Sequence, residues 1–275
     1  MKSVYFPGRI QTAFILYSIG ILTLIIVFPL SSIFIRSFGE GLDKFAEVLI
    51  NKRVLSSFRI SFQSAFIASI LNLFLGTILS WTLVRYEFPG KKILDAMIDL
   101  PLALPTSIAG LSFVELLSSK NFPGYVLKEN FHISLLHTPF AIVLVLMFVS
   151  FPFSVRTTQS VLKELDKEQE LAAKCLGAND FQIFRFLIFP EMLPSLLVGF
   201  AMSFARGIGE YGSVIFVAGN LSGKTEILPL LISIRVEELD YTGASILGVS
   251  MLIISFIILL SIHLLERRLR GYASK

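Results

Sequence analysis

The chain has 275 residues, of which 54% are hydrophobic and 16% are charged, and its net charge is +4. A soluble domain would carry about 25% charged residues, so this composition excludes an ordinary soluble protein and indicates a polytopic membrane protein. The single cysteine, Cys175, excludes an internal disulfide framework and a cysteine metal cluster. In a membrane protein basic residues mainly set the orientation, so the positive charge gives no reason to expect a nucleic acid as partner.

Six apolar stretches are long enough to cross a hydrocarbon core about 30 Å thick, which requires roughly 20 residues per helix. We therefore predict an all-α protein with six transmembrane helices surrounded by membrane lipid. We expect residues 1–275 to form one transmembrane domain, because the segments outside the membrane are too short to fold alone. The predicted spans are Ala13–Ile35, Ile60–Val84, Leu94–Leu117, Leu136–Val155, Met192–Ala218 and Ser245–Leu265.

The distribution of lysine and arginine predicts the orientation of these spans. The N-terminal stretch, the second loop, the fourth loop and the C-terminal tail together carry more basic residues than the loops between them. This more basic side includes Lys2 near the N terminus and Lys275 at the C terminus. Because basic residues are retained on the cytoplasmic side, we expect both termini and the fourth loop to be cytoplasmic.

The third predicted span contains two prolines one helical turn apart, Pro101 and Pro105, followed by Gly110. Each proline leaves a backbone carbonyl without its helical donor, and in lipid that carbonyl must be satisfied by protein or water. Gly110 allows another helix to approach closely. Two interpretations remain open, a helix that lines a translocation pathway and a kinked helix that serves packing.

The fifth predicted span carries an arginine and a glutamate one turn apart, Arg206 and Glu210, near its middle. Charges at that depth cost on the order of 3 kcal/mol or more each, so both should face the bundle interior or water. Two interpretations remain open, an internal ion pair that fixes packing and a gate or anion relay in which Arg206 offers positive charge to a passing oxyanion. Gly209 and Gly212, which flank Tyr211, suit a hinge or a close helix crossing.

The longest polar passage, Leu162–Pro190, follows the fourth predicted span. We predict a first amphipathic helix that ends at Gly177, because glycine readily takes the left-handed conformation that terminates a helix. A second helix, capped by Asn179 or Asp180, should stop or bend at Pro190. The apolar stripes expected to face the bundle consist of Leu162, Leu165, Ala172 and Leu176 in the first helix and Phe181, Phe184 and Ile188 in the second.

Two such helices exposed between membrane spans would form a docking surface, and an ordinary amphipathic loop is the alternative interpretation. The run Leu171-Ala172-Ala173, then Gly177, then Ile188-Phe189-Pro190 resembles the EAA loop of importer permeases of the ATP-binding-cassette type. In that family the loop inserts into a cleft of a cytoplasmic ATPase. The resemblance therefore implies a cytoplasmic coupling loop at about 158–190. Leu171 stands where that loop usually has glutamate, and Glu170 lies one residue earlier. The residues expected to couple to the ATPase are Glu170, Leu171, Ala172, Ala173, Gly177 and Pro190.

Longer strings resemble a narrower family, the T-type permease subunit (CysT) of sulfate/thiosulfate importers. The clearest are Asp99-Leu-Pro-Leu-Ala-Leu-Pro-Thr, Gly209-Glu-Tyr-Gly-Ser-Val-Ile-Phe-Val-Ala-Gly-Asn and Lys224-Thr-Glu-Ile. The resemblance implies a type I ABC importer permease of MetI-like fold. It also implies three kinds of partner: a cytoplasmic ATPase dimer that binds ATP and Mg²⁺, a second permease subunit of W type, and a sulfate-binding protein. The residues expected on the pathway or gate are Pro101, Pro105, Arg206, Gly209, Glu210, Tyr211 and Gly212.

The same resemblance implies that this chain carries no catalytic residues, metal or cofactor of its own. Gly219–Thr225 is not a phosphate-binding loop, because Ala218 stands where that motif requires its first glycine. A molybdate/tungstate ABC importer permease and a secondary anion transporter remain alternatives, although no clear internal repeat of the kind common in secondary transporters is visible. We expect the plasma (inner) membrane of a bacterium, with a plastid inner envelope as the alternative.

Overall fold

The computed structural model describes residues 8–132 and 134–273, and the regular elements in these ranges are all helical. This confirms the all-α prediction; Lys2 and Lys275 lie outside the described residues. Two short π-helical turns, Thr23–Val27 and Phe184–Ile188, interrupt the α-helices. The α-helices are α1 (Gly8–Leu22), α2 (Phe28–Phe38), α3 (Leu42–Ile50), α4 (Lys52–Arg85), α5 (Lys91–Met97), α6 (Leu100–Ala103), α7 (Thr106–Leu117), α8 (Gly124–Phe131), α9 (Pro139–Glu164), α10 (Lys167–Cys175), α11 (Asp180–Ile183), α12 (Phe189–Ile208), α13 (Val214–Ala218), α14 (Leu228–Glu237) and α15 (Tyr241–Ala273).

Five helical stretches among the described residues are long and apolar enough to cross a membrane. They correspond to the first, second, fourth, fifth and sixth predicted spans, although the fifth is shifted towards the N terminus. Many of their large apolar side chains are exposed, as expected for surfaces that face lipid. The five stretches are Thr12–Phe38, Lys52–Arg85, Pro139–Glu164, Asp180–Ile208 and Tyr241–Leu269.

The third predicted span, Leu94–Leu117, is divided among α5, α6 and α7 rather than forming one long helix. Leu104 is extended, and Pro105 at the N-cap of α7 has φ −56° and ψ 131°. Pro101 lies in the first turn of α6, where its missing N–H costs no helical hydrogen bond. The prolines therefore begin new helices instead of kinking one, and the longest piece, α7, has 12 residues.

The described residues form two compact units by their contacts, residues 8–51 with 232–250 and residues 52–231 with 251–273. In the first unit the Arg36 guanidinium lies 4.9 Å from the centre of the Tyr241 ring. One residue further along α15, the Thr242 hydroxyl donates to Glu40 at 2.9 Å. These contacts tie the end of α2 to the start of α15 within that unit.

The second unit is built on α4, α9 and α12, which pack against one another. Small residues on α4 and its neighbours permit the close approach, as is typical of helices in membranes. A Cβ atom at Gly76 would lie 3.0 Å from the Ser154 hydroxyl oxygen, so α4 and α9 are nearly in backbone contact there. This three-helix core is the frame that carries the functional segments.

Asn72 links all three helices of that core. Its side-chain amide donates to the Met147 carbonyl at 3.0 Å, to Ser150 at 2.9 Å and to Ser203 at 3.2 Å. The Asn72 side chain is fully buried. Hydrogen bonds between transmembrane helices stabilise association by about 0.6–2 kcal/mol each, so this cluster fixes the register of α4, α9 and α12.

Candidate functional site

In the polar passage after the fourth span, helix α10 begins at an N-cap residue, Asp166. Helix α9 ends at Glu164, Leu165 is extended, and the Asp166 carboxylate accepts a hydrogen bond from the Glu168 amide at 2.9 Å. Leu162 therefore belongs to the end of α9 and is buried. The predicted first helix is thus shorter than expected, because Asp166 at the N-cap separates α10 from α9.

Gly177 forms the turn between α10 and α11, as predicted. Its φ is +86°, and a Cβ atom placed there would have no neighbour within 4 Å. The Gly177 amide donates to the Lys174 carbonyl at 2.9 Å and the Ala178 amide donates to the Ala173 carbonyl at 3.0 Å. This pair of hydrogen bonds is the Schellman motif that ends a helix at a left-handed residue. We call residues 162–190 the coupling segment from here on.

The second helix of the coupling segment begins with a capping box. The Asn179 side chain accepts from the Gln182 amide at 2.9 Å, and the Gln182 side chain accepts from the Asn179 amide at 2.9 Å. The prediction that the helix stops or bends at Pro190 is wrong in one respect, since the helix continues from Asp180 to Ile208. The turn before Pro190 is π-helical, with the Phe189 amide bonded to the Phe184 carbonyl, and this wider turn accommodates the proline.

The coupling segment packs on the bundle through a buried apolar cluster. Ala173 and Ala178 on either side of the glycine turn contact it, which agrees with an apolar face towards the bundle. The predicted stripe is wrong at Leu176, which is 88% exposed, at Phe181, which is 67% exposed, and at Ala172, which is exposed while its neighbour Ala173 contacts the cluster. Leu171 is exposed as well. The core of the cluster consists of Leu162, Ile183, Ile188, Met192 and Leu196.

A salt bridge between Arg85 and Glu170 ties the coupling segment to the end of α4. The guanidinium donates to both carboxylate oxygens, at 2.5 and 3.2 Å, and the two side chains are largely shielded from solvent. Arg85 also lies 5.0 Å from the centre of the Trp81 ring. Glu170 therefore points into the protein, and sequence reasoning missed this role because the partner lies 85 residues away.

The fifth predicted span, Met192–Ala218, breaks at Gly209, one of the glycines expected to suit a hinge or a close crossing. Arg206 lies in the last turn of α12, and Glu210 lies in the turn that precedes α13. The Arg206 guanidinium donates to Glu210 at 2.5 Å, and Glu210 also accepts from the Ser213 amide at 2.9 Å and hydroxyl at 2.8 Å. Glu210 is 3% exposed whereas Arg206 is 32% exposed by side chain. The glutamate thus holds the turn together, and its charge is balanced by an arginine at the edge of the buried region.

The broken third and fifth spans meet at one place. A Cβ atom at Gly212 would collide with the Thr106 hydroxyl oxygen, and one at Gly110 would lie 2.5 Å from the Ser213 carbonyl oxygen. Pro105, the N-cap of α7, directly precedes Thr106. We call this contact the helix junction, residues 105–110 with residues 209–216. Pro101 lies outside this contact, in α6, which is separated from α7 by the extended residue Leu104. Tyr211 is half-buried in the turn between α12 and α13.

One continuous helix connects the two predicted sites. The stretch Asp180–Ile208 has 29 residues, so it extends roughly 43 Å at 1.5 Å per residue. Its N-terminal end belongs to the coupling segment, and its C-terminal end enters the helix junction.

Arg156 organises a further ionic cluster that sequence reasoning did not identify. Its guanidinium donates to Asp95 at 2.6 Å and to Asp99 at 2.6 Å, and thereby ties α9 to the broken third span. Gln159 on the next turn of α9 donates to Asp95 at 3.0 Å. Both aspartates remain nearly half exposed. Asp95 and Asp99 are one helical turn apart in the sequence, and this spacing could have indicated a shared basic partner.

Glu226 is a second buried carboxylate that sequence reasoning missed. It lies before α14, is fully buried, and accepts from the Arg53 guanidinium at 2.6 and 2.9 Å. Ser57 donates to the same carboxylate at 3.3 Å. This ionic contact anchors the segment that follows α13 to the first turn of α4. It lies at the end of α4 opposite to Arg85, so both ends of that helix are fixed by ion pairs.

Comparison with known proteins places the chain among transport permeases. The family model described as "Binding-protein-dependent transport system inner membrane component" matches residues 72–271. The chain is 42% identical over 245 residues to the "Sulfate transport system permease protein CysT" of Salmonella typhimurium, covering 89% of this chain and 88% of that protein. It is also 42% identical over 253 residues to the CysT protein of a Synechocystis species, covering 92% and 88% of the two chains.

The fold is shared with solved importers. A bacterial ABC transporter involved in the import of the acidic polysaccharide alginate contains a chain that aligns over 94% of this chain and 96% of its own, with a TM-score of 0.78. Sequence identity in that alignment is 14%, so the likeness concerns the fold alone. The architecture is therefore that of type I ABC importer permeases, as predicted.

Proposed function

The chain belongs to the family of inner membrane components of binding-protein-dependent transport systems, and we propose that it is the T-type permease subunit of an ATP-driven sulfate/thiosulfate importer. The assignment of sulfate as the substrate rests on the 42% identity to CysT sulfate permeases over about nine tenths of the chain. Such a subunit is not itself catalytic. It provides a multi-pass membrane path, here with five long apolar helices and the shorter α7 among the described residues.

Three kinds of partner complete the proposed importer. Two copies of a cytoplasmic ATPase bind ATP and Mg²⁺, a W-type permease forms the other half of the pathway, and a sulfate-binding protein delivers the anion. The exposed apolar side chains of Leu171, Leu176 and Phe181 support a protein partner at the coupling segment, because large apolar groups on a polar surface favour a docking interface. We place the importer in the inner membrane of a bacterium with both termini in the cytoplasm; a plastid inner envelope is the alternative.

The proposed mechanism uses the coupling segment as a lever. When the ATPase closes on ATP it moves α10 and the Gly177 turn. That motion reaches the bundle through the salt bridge between Arg85 and Glu170 and through the apolar cluster under α11. Because a packed cluster transmits displacement rather than absorbing it, the long helix that starts at Asp180 moves with the lever. The membrane path then alternates between inward-open and outward-open states.

The helix junction is the proposed gate at the other end of that helix. Two broken helices in contact can separate by rotation about their short linkers without breaking a continuous helical hydrogen-bond ladder. Arg206 acts there mainly as the partner of Glu210, since their hydrogen bond neutralises both charges. The dianion would therefore pass a neutral, hydrogen-bonded wall rather than a free cation, which favours release over tight binding.

Uptake of radiolabelled sulfate by cells that express this chain with its ATPase, W-type permease and binding protein tests the proposal. We expect ATP-dependent uptake that excess thiosulfate blocks and excess molybdate barely affects. Uptake of molybdate in place of sulfate would contradict the substrate while preserving the fold and the lever. Absence of ATP-dependent uptake of either anion, with all subunits present in the membrane, would contradict the importer itself.

A further inference from the structure

A cavity of about 650 Å³ lies where α4 and α9 end and α5 begins, at the end of the second unit that carries the coupling segment. Leu83 and Val84 in the last turn of α4 and Phe88 after it form part of its apolar wall. Lys163, in the last turn of α9, and Lys92 on α5 are among its polar walls. The cavity therefore combines an apolar floor with lysine side chains at its rim.

The acidic groups of the cavity already have partners. Glu87 binds Lys91 at 2.7 Å, and Asp95 is held by Arg156 and Gln159. Lys92 and Lys163, by contrast, form no salt bridge with any residue in the described part of the chain, and both are exposed. Two cations thus remain at the rim that form no salt bridge with the carboxylates of the cavity.

The two lysines lie near the surface of the membrane, because the cavity is formed at the ends of membrane-crossing helices. Leu83 and Lys163 lie in the last turns of the membrane-crossing stretches Lys52–Arg85 and Pro139–Glu164, where helices pass from hydrocarbon to the interfacial region. From the cavity wall at Ile93 a row of exposed apolar residues continues through Met97 and Leu100. Ile93 and Met97 lie one turn apart on α5, and Leu100 begins α6.

We propose that this cavity binds the headgroup of an acidic phospholipid, with its phosphate at Lys92 and Lys163 and an acyl chain along Ile93, Met97 and Leu100. Basic pockets between transmembrane helices at the membrane surface are suited to anionic headgroups. A phospholipid matches both halves of the site, because its phosphate is covalently joined to apolar chains. A soluble anion such as phosphate would use the lysines but would leave the apolar row uncovered.

The test is native mass spectrometry of the full-length chain purified in detergent with equal amounts of phosphatidylglycerol and phosphatidylcholine. We expect one phosphatidylglycerol to be retained in preference to phosphatidylcholine. The double variant K92Q/K163Q should lose this preference, by about fivefold for each lysine removed. The matched control K120Q/K128Q removes two exposed lysines outside the cavity and should retain phosphatidylglycerol as the wild type does.

The other outcomes would overturn the assignment. Equal retention of phosphatidylglycerol by the two double variants would show that the lysines of the cavity do not bind it. Displacement of the lipid by millimolar inorganic phosphate would assign the lysines to a soluble anion instead. Release of the lipid when the ATPase joins the complete importer would assign the cavity to that protein partner.

Discussion

Arg206 and Glu210 illustrate how this chain accommodates charge inside a membrane bundle. Glu210 is almost fully buried, yet its carboxylate accepts hydrogen bonds from the Arg206 guanidinium and from the amide and hydroxyl of Ser213. Removing one partner of such a pair leaves an uncompensated charge, whereas removing both replaces the pair with apolar packing. The two kinds of change therefore separate a structural role from a role in anion transport.

We predict that R206M and E210M each lower the thermal stability of the purified chain, by about 2 kcal/mol after allowance for the partial exposure of Arg206. The double variant R206M/E210M should recover most of that stability and should retain sulfate uptake in the complete importer. Thermal unfolding in detergent and the uptake assay measure the two effects. A stable double variant that no longer transports sulfate would show that Arg206 acts on the anion directly.

The three glycines of the helix junction, Gly110, Gly209 and Gly212, have different surroundings. A Cβ atom at Gly110 would press on the backbone of Ser213, whereas one at Gly209 would come no closer than 3.9 Å to the Ala205 carbonyl oxygen. Gly209 and Gly212 were predicted together as hinge or crossing residues, and the contact with Thr106 makes Gly212 the crossing residue. Gly209 ends α12 without a close neighbour.

We expect G110A to destabilise the chain by about 1–3 kcal/mol, because the added methyl group must push α7 away from α13. The matched variant G209A should change stability by less than about 1 kcal/mol, since an ordinary contact already leaves room for the methyl group. Thermal unfolding of both purified variants is the measurement. Equal losses of stability in the two variants would contradict the close contact at the junction.

At the scale of elements, the coupling segment is rigid where it contacts the bundle and exposed where a partner could bind. The Schellman motif at Gly177 and the capping box at Asn179 fix the angle between α10 and α11 without help from distant residues. Glu170 adds a long-range contact through Arg85. A change that alters the exposed turn should therefore affect docking more than folding.

We predict that G177D leaves the chain folded but uncouples ATP hydrolysis from sulfate uptake, because the new side chain projects from the exposed turn with a negative charge. The control G223D imposes the same backbone strain, since Gly223 has φ +76° and nothing within 4 Å of its Cβ position. The control should retain both coupled activities. ATPase and uptake assays of the complete importer compare the two, and normal uptake by G177D would contradict the lever.

At the scale of the whole molecule, the orientation in the membrane is a prediction that a single residue can test. Cys175 is the one cysteine of the chain, and it is exposed at the end of α10. The coupling segment must face the cytoplasm if an ATPase is to bind it. The predicted sidedness of every other loop depends on this assignment.

A membrane-impermeant maleimide should therefore label Cys175 only after the cells are permeabilised. In a C175S background, the variant K224C places a thiol in the exposed turn after α13 and should be labelled in intact cells. The opposite pattern of labelling would reverse the orientation and would contradict the proposed ATPase partner at the coupling segment. Mass spectrometry of the purified chain quantifies the label.

Features that depend on local composition were predictable from the sequence. The apolar stretches, the turn at Gly177 and the cap at Asn179 each arise from residues within a few positions of one another, so their patterns predicted them. The long-range partners were not predictable in this way. The pairs Arg85 with Glu170 and Arg53 with Glu226 lie 85 and 173 residues apart, and no local pattern specifies which charge will meet which.

The sequence by itself determined that this is an all-helical membrane permease, because hydrophobic length and motif spacing are local properties of the chain. The tertiary structure decided how the irregular spans are used. Whether Pro101 and Pro105 kink a helix or begin new ones, and whether Gly212 faces a neighbour or open space, depends on which helices pack together. Packing is a property of contacts between distant segments, so it emerges only when the bundle is assembled.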